Sequence, residues 1–355
     1  MDKTLSSGIN SPRHYENLAK IAETFKFSTE AHYRSIGLHY LDVPEIVGIT
    51  GACENVDTLF KVKSRVDVPL FFSQTGQLSL EQALQYFNGV FTVIHSGRDE
   101  ELEDKRHLRQ FMLTEEEFDS TTIGMDRNNY DEEKMYEVLL SHIENVLKAA
   151  IKAIVENHAA ILKDIYLRNI DALKYAYKER FHRIFYSDAV ELLKQNGYQN
   201  LKFGDDLESL HEAKIVELLA KKSEHPLPVF IMKYPQEIKF FNMKQSLSDP
   251  KVVLSADLVL PFAGEAVGSA VREHDFAKLK DRLLKSKMFE LHQKRGGTIS
   301  DFDWYLAIME SQKTNPHAGY GIGNERVLQY ILGLDDIRKA SVMALLAEQT
   351  KDWVL

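Results

Sequence analysis

The chain has a single cysteine, Cys53, in 355 residues. No disulfide framework can staple it internally, and no cysteine-rich zinc site can form within it. It lacks any run approaching the ~18 apolar residues of a membrane-spanning helix. Its opening stretch, MDKTLSSGINSPRHYENLAK, lacks the apolar core of a secretory signal. These absences set the expectation of a reducing, cytoplasmic setting. Basic charge is also short: 44 Lys and Arg against 53 Asp and Glu, a formal net charge of −9. Such a field repels nucleic-acid phosphates unless a local basic face overrides it. No internal repeat, low-complexity tract or linker interrupts the chain, and neither a P-loop nor a GxGxxG fingerprint occurs.

What is present is ordinary globular material, 44% hydrophobic and 27% charged, enough for a large core. Apolar spacing predicts a helix from Arg13 to about Leu38 and a longer one over 132–163. His142 and His158 fall on the polar faces of the second and read as solvated. SDAVELLKQNG predicts a helix capped by Ser187 and ended by Gly197, and a charged helix is expected around 275–295. LHYLDVPEIV, LFKVK, VPLFFSQ, GVFTVIHS, RQFMLTEEEFD, PVFIMKY and KVVLSADLVLP read as strands. Strands and helices mix without regular βαβ alternation, so the expected class is α+β, a largely antiparallel sheet with helices on it. Residues 1–12 read as a loose start and 13–355 as one catalytic-sized domain.

Four stretches place charge beside apolar strands. In HSGRDEELEDKRHLRQF a hairpin would bring together Arg98, Arg106 and His107, guanidinium and imidazole groups suited to polyphosphate. In SADLVLPFAGEAVGSAVRE, Asp257 and Glu265 flank a strand and turn, oxygen donors suited to magnesium, and Arg272 follows. SQTGQLSLEQA is small and polar. In HAGYGIGNER, Gly319, Gly321 and Gly323 alternate along one strand face, leaving room for a flat ligand on bare backbone. Arg326 would emerge beneath that ligand, and Asn324 reads as the N-cap of the last helix.

In their order, these blocks resemble the catalytic domain of class II aminoacyl-tRNA synthetases, in the asparaginyl branch of the aspartyl/asparaginyl group. GYGIGNERVLQYILGLDDIR is similar to the third signature motif, GRDEE…KRHLRQFMLTEEE to the second, and LDVPEIVGITGACENVDTLFKV to the first with its amino-acid loop. SQTGQL, GDDLESLHE, YPQEIKFFNM and DLVLPFAGEAVGSAVRE resemble further asparaginyl-type blocks, and the likeness runs from about residue 15 to the C-terminus. The resemblance implies a six-stranded antiparallel sheet flanked by helices, a homodimer built through the first motif, and ATP with Mg2+ as cofactors. It implies Arg98 on the α-phosphate and Arg326 by the adenine and γ-phosphate. Arg106 and His107 would hold the terminal phosphates, Phe111 would stack on adenine, Glu100 would touch the nucleotide, and Asp257 and Glu265 would hold the metal. For the amino acid it implies Glu54 and Gln77 near the ammonium and Arg272 at the side-chain end. Leu80 stands where aspartate-specific members have lysine, and Glu115 where they have aspartate, which favours an amide over a free carboxylate.

The chain departs from that family where tRNA would sit. About a dozen residues precede the first helix, where the family carries an anticodon-reading OB-fold, and the second-motif loop reads DEELED, which repels phosphate. The expectation is therefore an ATP-dependent, AMP-forming ligase that activates an aspartate- or asparagine-type carboxylate. It would then form an amide with ammonia or another amine, asparagine synthetase-like, with tRNA an unlikely partner. The alternatives are an adenylating enzyme acting on a peptide, carrier or small amine, then a minimal asparaginyl-tRNA ligase or a non-catalytic amino-acid sensor.

Overall fold

The computed structural model describes residues 12–49, 58–65, 69–100, 104–311 and 313–344. In chain order the first elements are α1 (Pro12–Ser35), β1 (His39–Tyr40), β2 (Ile46–Val47), β3 (Phe71–Phe72) and α2 (Gln77–Ala83). A long hairpin follows, β4 (Gly89–Gly97) and β5 (Gln110–Asp119), then α3 (Glu132–Asp164) and α4 (Ile170–Lys178). The middle of the chain holds β6 (His182–Phe185), α5 (Tyr186–Lys194), α6 (Ser209–Ala220) and β7 (Val229–Met232). A second hairpin, β8 (Ser255–Leu260) and β9 (Gly264–Val271), leads to α7 (Phe276–Lys285), α8 (Lys287–Lys294) and α9 (Asp303–Glu310). The last described strand and helix are β10 (His317–Gly323) and α10 (Asn324–Leu332).

The main sheet runs β1-β4-β5-β10-β9-β8-β7-β6. Its central six strands pair antiparallel, as expected, and the short edge strands β1 and β6 add in parallel to β4 and β7. The strand expected at LFKVK reduces to an isolated bridge, Lys61 with Phe71. Among the described residues no helix is long and apolar enough to cross a membrane.

The period-2 alternation of β10 decides what each sheet face does. Ala318, Tyr320 and Ile322 point into the main core with Phe118, Leu258 and the buried stripe of α3, including Leu139, Ile143 and Ile154. Each such fully buried aliphatic side chain contributes about 1.5–3 kcal/mol. Gly319, Gly321 and Gly323 occupy the opposite face. There they pair across the ladder with Glu117, Glu115 and Leu113 of β5.

Several local expectations need correction. α5 begins at Tyr186 with Phe185 at its N-cap, so Ser187 lies in the first turn. The charged helix is two helices, parted at Ser286, whose hydroxyl accepts from the Phe289 N–H and starts the second. The N-cap of α10 is Gly323, not Asn324. The Asn324 side chain instead accepts from Thr114 Oγ1 at 2.9 Å, tying the helix start to β5. His142 is not solvated: it stacks on Phe118 at 4.4 Å and its Nδ1 lies 2.6 Å from Glu116 Oε1. Glu116 sits on the core face because the run Glu115-Glu116-Glu117 must alternate. His158 lies at a non-helical kink in α3 and meets Thr24 Oγ1 at 2.7 Å.

The glycine of β10 nearest the strand's start is required by sterics rather than by a ligand. A Cβ on Gly319 would fall 1.8 Å from Glu117 Oε2 and 2.5 Å from the Glu116 carbonyl oxygen. At Gly321 the nearest atom, Glu115 Oε1, would be 3.2 Å away. Gly319→Ala is therefore expected to destabilise the fold by about 2–3 kcal/mol, as overpacking does, and Gly321→Ala by clearly less. Urea unfolding of both variants checks this, and equal midpoints would refute it.

Candidate active site

A cavity of about 1280 Å3 opens on the glycine face of the sheet, between β5, β9 and β10 below and α6, the 234–245 segment, α7 and α8 around its rim. Gln77, Arg98, Glu100, Arg106, His107, Phe111, Glu115, Asp257, Glu265, Arg272 and Arg326 all line it. Glu54 lies outside the described residues. Gly321 and Gly323 form part of the floor. Gly319 does not, because its side of the strand is filled by Glu117.

One end of the cavity gathers the arginines. Arg98 leaves the end of β4 with its guanidinium carbon 5.7 Å from the centre of the Phe111 ring on β5. Arg326, in the first turn of α10, donates to the Ala263 carbonyl at 2.6 Å and to the Arg106 carbonyl at 2.8 Å. One side chain thus clamps the β8–β9 turn to the β4–β5 loop. Burial, with Arg106 and Arg98 near, holds the Arg326 pKa below its ordinary value. His107 is exposed, and its Nδ1 lies 3.1 Å from Asp104.

Carboxylates face these cations. Asp257 is buried on β8, whereas Glu265 is exposed at the start of β9. Glu212, from the first turn of α6, is a third that sequence reasoning passed over. Burial first, then the Asp257 charge, pushes Glu212 up to about 7, against Arg106 and Arg326. Carboxylate oxygens are the donors that Mg2+ prefers, so the donor set fits. Asp257 is not idle, however, because the Lys239 ammonium donates directly to its Oδ2.

The other end is a closed charge network. Arg272 is 2% exposed and grips Glu117 with Nε and Nη2, both at 3.1 Å, while Nη2 also donates to Gln77 Oε1. Gln77 in turn donates to the Tyr320 carbonyl at 3.0 Å. Glu81 lies beside them, accepting from Asn242 at 2.9 Å and Tyr305 at 2.7 Å, with His317 Nε2 at 3.5 Å. Burial pushes Glu117 up to about 7 against the pull of Arg272. Burial opposes the charge on Glu81 too, yet His317 and Arg272 hold its pKa below the usual range. His317 is raised despite burial, with Glu81 as its counter-ion. Glu81, Glu117 and His317 bring ligand atoms within 4.8 Å of one another, but Arg272, Tyr305 and Asn242 already meet the two carboxylates. The trio is a buried ion network.

The two positions weighed for selectivity sit differently: Glu115 lines the cavity and Leu80 does not. Leu80 is fully buried in a satellite core with Leu84 and Val90, and its neighbour Glu81 turns toward Arg272 instead. The Glu115 carboxylate accepts from Thr75 Oγ1 and from the Gly76 N–H at 2.7 Å. It therefore holds the turn that presents Gln77. The missed residues had a signal of a kind. Strand alternation places Glu117 on the face of Glu115, and Glu81 lies four residues after Gln77 on a helix.

Residues 15–345 match the family model "tRNA synthetases class II (D, K and N)". Asparagine–tRNA ligase of Pyrococcus furiosus is 32% identical over 327 residues, 92% of this chain and 67% of that protein. Asparaginyl-tRNA synthetase of Mus musculus is 30% identical over 87% of this chain and 62% of its own length. The crystal structure of asparaginyl-tRNA synthetase from Pyrococcus horikoshii, complexed with asparaginyl-adenylate, superposes with a TM-score of 0.79 at 29% identity. It covers 93% of this chain and 68% of that one.

Glu325 supplies a pH test of the helix that carries Arg326. It is buried and accepts from the Met112 N–H at 3.0 Å, and burial raises its pKa from 4.5 to about 7. A folded-state pKa above the unfolded one means that its contribution is fully present below about 4.5 and is lost as pH rises through about 7. Glu325→Gln should flatten that part of the profile, removing up to about 3 kcal/mol of pH dependence. Urea unfolding at pH 4.5 and 7.5 reads the difference, and parallel curves for variant and wild type would count against it.

Proposed function

The chain belongs to the class II tRNA synthetases of the D, K and N type and is an ATP-dependent, AMP-forming ligase. On that footing we propose that it adenylates an aspartate- or asparagine-type carboxylate and passes the acyl group to an amine without tRNA. The observation that carries the substrate class is the network around Arg272. A single guanidinium there is offset by Glu117 and flanked by Glu81. A lone substrate carboxylate at that end would meet Arg272 and Gln77 on the cavity wall, with the arginine charge already offset by Glu117 and Glu81 behind it. A neutral group that both donates and accepts fits better. Two such groups exist in this substrate class. One is the carboxamide of asparagine. The other is the α-ammonium and α-carboxylate head of aspartate, lying inward with its β-carboxylate toward the phosphates. The second orientation is the one that yields asparagine from ammonia.

The rest of the cavity supports the chemistry of the first step. A substrate carboxylate oxygen attacks the α-phosphorus, a mixed acyl-phosphate anhydride forms, and pyrophosphate leaves with the electron pair of the broken P–O bond. No side chain needs to remove a proton. What the step needs is neutralisation of developing oxygen charge and alignment. Arg98 would serve the α-phosphate, Phe111 and the Gly321–Gly323 floor the adenine, and Arg106, His107 and Arg326 the departing pyrophosphate. Magnesium held on the Asp257–Glu265 side would neutralise phosphate charge. In the second step the amine attacks the acyl carbon, AMP leaves, and the amine proton passes to solvent or to the leaving phosphate.

For the acceptor, the reading rests on the acidic second-motif stretch, of which Glu100 lines the cavity and Asp99 and Asp104 are exposed, and on the net charge of −9. A tRNA end is the competing acceptor, given the names of the relatives. A homodimer through the first-motif stretch, residues 41–62, is part of the same proposal.

Hydroxylamine trapping with ATP decides between these possibilities. Aspartate β-hydroxamate is expected if aspartate lies inward by its head, and asparagine α-hydroxamate if the carboxamide does. Ammonia should raise AMP release without tRNA. AMP release that needs added tRNA would overturn the tRNA-independent part. Arg98→Ala and Arg326→Ala should each lower pyrophosphate exchange by at least about a hundredfold, the scale of a lost transition-state contact. Near wild-type exchange in either variant would remove that residue from the site.

A further inference from the structure

Tyr320 of β10 is engaged from both sides of the sheet. Its side chain lies in the main core, opposite Glu116 across the ladder, and its hydroxyl donates to Glu116 Oε2. Its backbone carbonyl accepts from Gln77 Nε2 at 3.0 Å, and Gln77 lines the cavity. Glu116 is fully buried, and a carboxylate so placed needs a charged partner. Among the described residues the only cation-forming side chain within ion-pair distance of it is His142, whose Nδ1 lies at 2.6 Å. Burial opposes charge on His142, yet the Glu116 carboxylate holds its pKa above the ordinary value. Tyr33 of α1 completes the set, its hydroxyl 3.2 Å from that of Tyr320. Tyr320 has one hydroxyl proton and gives it to Glu116, so Tyr33 is the donor to Tyr320. Burial first, and then the Glu116 charge, raises both phenols well above their ordinary pKa, so each keeps its proton.

The glycines on either side make this bond consequential. Gly319, Gly321 and Gly323 leave β10 with no side chain of its own on the cavity face. On the core face Ala318 and Ile322 make apolar contacts, which are non-directional and do not fix the strand along its length. The Tyr320 hydroxyl supplies the directed bond. A slide of the strand would carry the Tyr320 carbonyl with it, and Gln77 Nε2 would follow or lose its acceptor. The same planar amide presents Oε1 to Arg272 Nη2, so a movement of β10 is passed to the guanidinium at the far end of the cavity. Arg326, by contrast, is held by the Ala263 and Arg106 carbonyls.

We propose that Tyr320 is a positioning residue of the amino-acid end: anchored beneath the sheet by Glu116 and His142, it fixes the Gln77 amide, and through it the Arg272 guanidinium, in the orientation that receives the substrate. The inference rests on reading this end of the cavity as the amino-acid end. It does not depend on which amino acid or acceptor is used.

The test separates position from stability. Pyrophosphate exchange is measured with aspartate and with asparagine. Tyr320→Phe should raise the KM for the amino acid roughly fivefold, the scale of one hydrogen bond, and leave that for ATP within about twofold. In a Gln77→Ala background the same substitution should add almost nothing, because both changes break one line of contacts. Combining Glu116→Leu with Tyr320→Phe removes both polar partners, so the melting temperature lost in Tyr320→Phe should largely return while the amino-acid KM stays high. A merely structural bond would let KM recover with stability. Glu116→Gln keeps the shape of the core and replaces Tyr320→Phe in these measurements should the latter not fold. Amide hydrogen exchange reads the same coupling without turnover: Tyr320→Phe should speed exchange over 75–80 and leave α6 as in wild type. The proposal is overturned if the KM values for ATP and amino acid rise together. It is overturned equally if the effect persists undiminished beside Gln77→Ala, or if exchange over 75–80 is unchanged. A wild-type chain that supports pyrophosphate exchange with neither amino acid would sink the adenylation reading, and amide exchange over 75–80 would still decide the positioning.

Discussion

The buried guanidinium of Arg272 is the constraint around which the rest of the site is arranged. A charge taken this far from water is tolerable only when it is paired and its donors are used. Glu117 and Gln77 meet it directly, and Glu81 stands at 3.8 Å. Those partners impose demands of their own. Glu117 takes the space above Gly319, so that position of β10 can carry no side chain. Glu81 is held by Tyr305 and Asn242, which anchors α2 to α9 and to the 234–245 segment. This end of the cavity is held in place because its charges are mutually satisfied.

The arginine-rich end works on a different principle. Its cations are steered by backbone carbonyls as much as by acids: Arg326 is fixed by Ala263 and Arg106. Carbonyl dipoles can orient a guanidinium while leaving most of its charge available to an anion, which a full counter-ion would cancel. The carboxylates nearby, Glu212, Asp257 and Glu265, offset the positive charge of these arginines. On the proposed reading, in which this end receives a polyanion and releases pyrophosphate, both features help.

Much of this was legible in the sequence, and the limits have physical reasons. The six antiparallel strands followed from strand periodicity and the family likeness, and Arg98, Arg106 and Arg326 stood out because charge beside a glycine-rich or hairpin strand is conspicuous. The glycines were misread in part. Alternation correctly put them on one face, but only the tertiary register shows that Gly319 faces a glutamate and not a ligand. Glu81 and Lys239 were missed because each acquires its meaning from partners far away in the chain: 236 positions separate Glu81 from His317, and 18 separate Lys239 from Asp257. Leu80 shows a complementary limit, since it lies in a satellite core while Glu81 beside it turns to Arg272. A one-residue step on a helix turns the side chain by about 100°, and the family comparison reads positions, not directions.

The tight coupling of Glu81, Glu117, His317 and Arg272 also bears on how such a pocket can change over time. Removing either glutamate alone would strand part of a buried guanidinium, and removing the arginine would leave the two acids with only His317 between them. Intermediates along a path of single substitutions would therefore fold poorly before they acquired a new preference. A pocket built this way resists gradual drift in what it accepts. On the proposed reading the acyl acceptor approaches the solvent-facing side, where Glu100 and His107 line the cavity outside that network, and there substitutions can accumulate one at a time. Innovation in a chain of this design should therefore appear first in the molecule that takes the acyl group, and only rarely in the one that donates it.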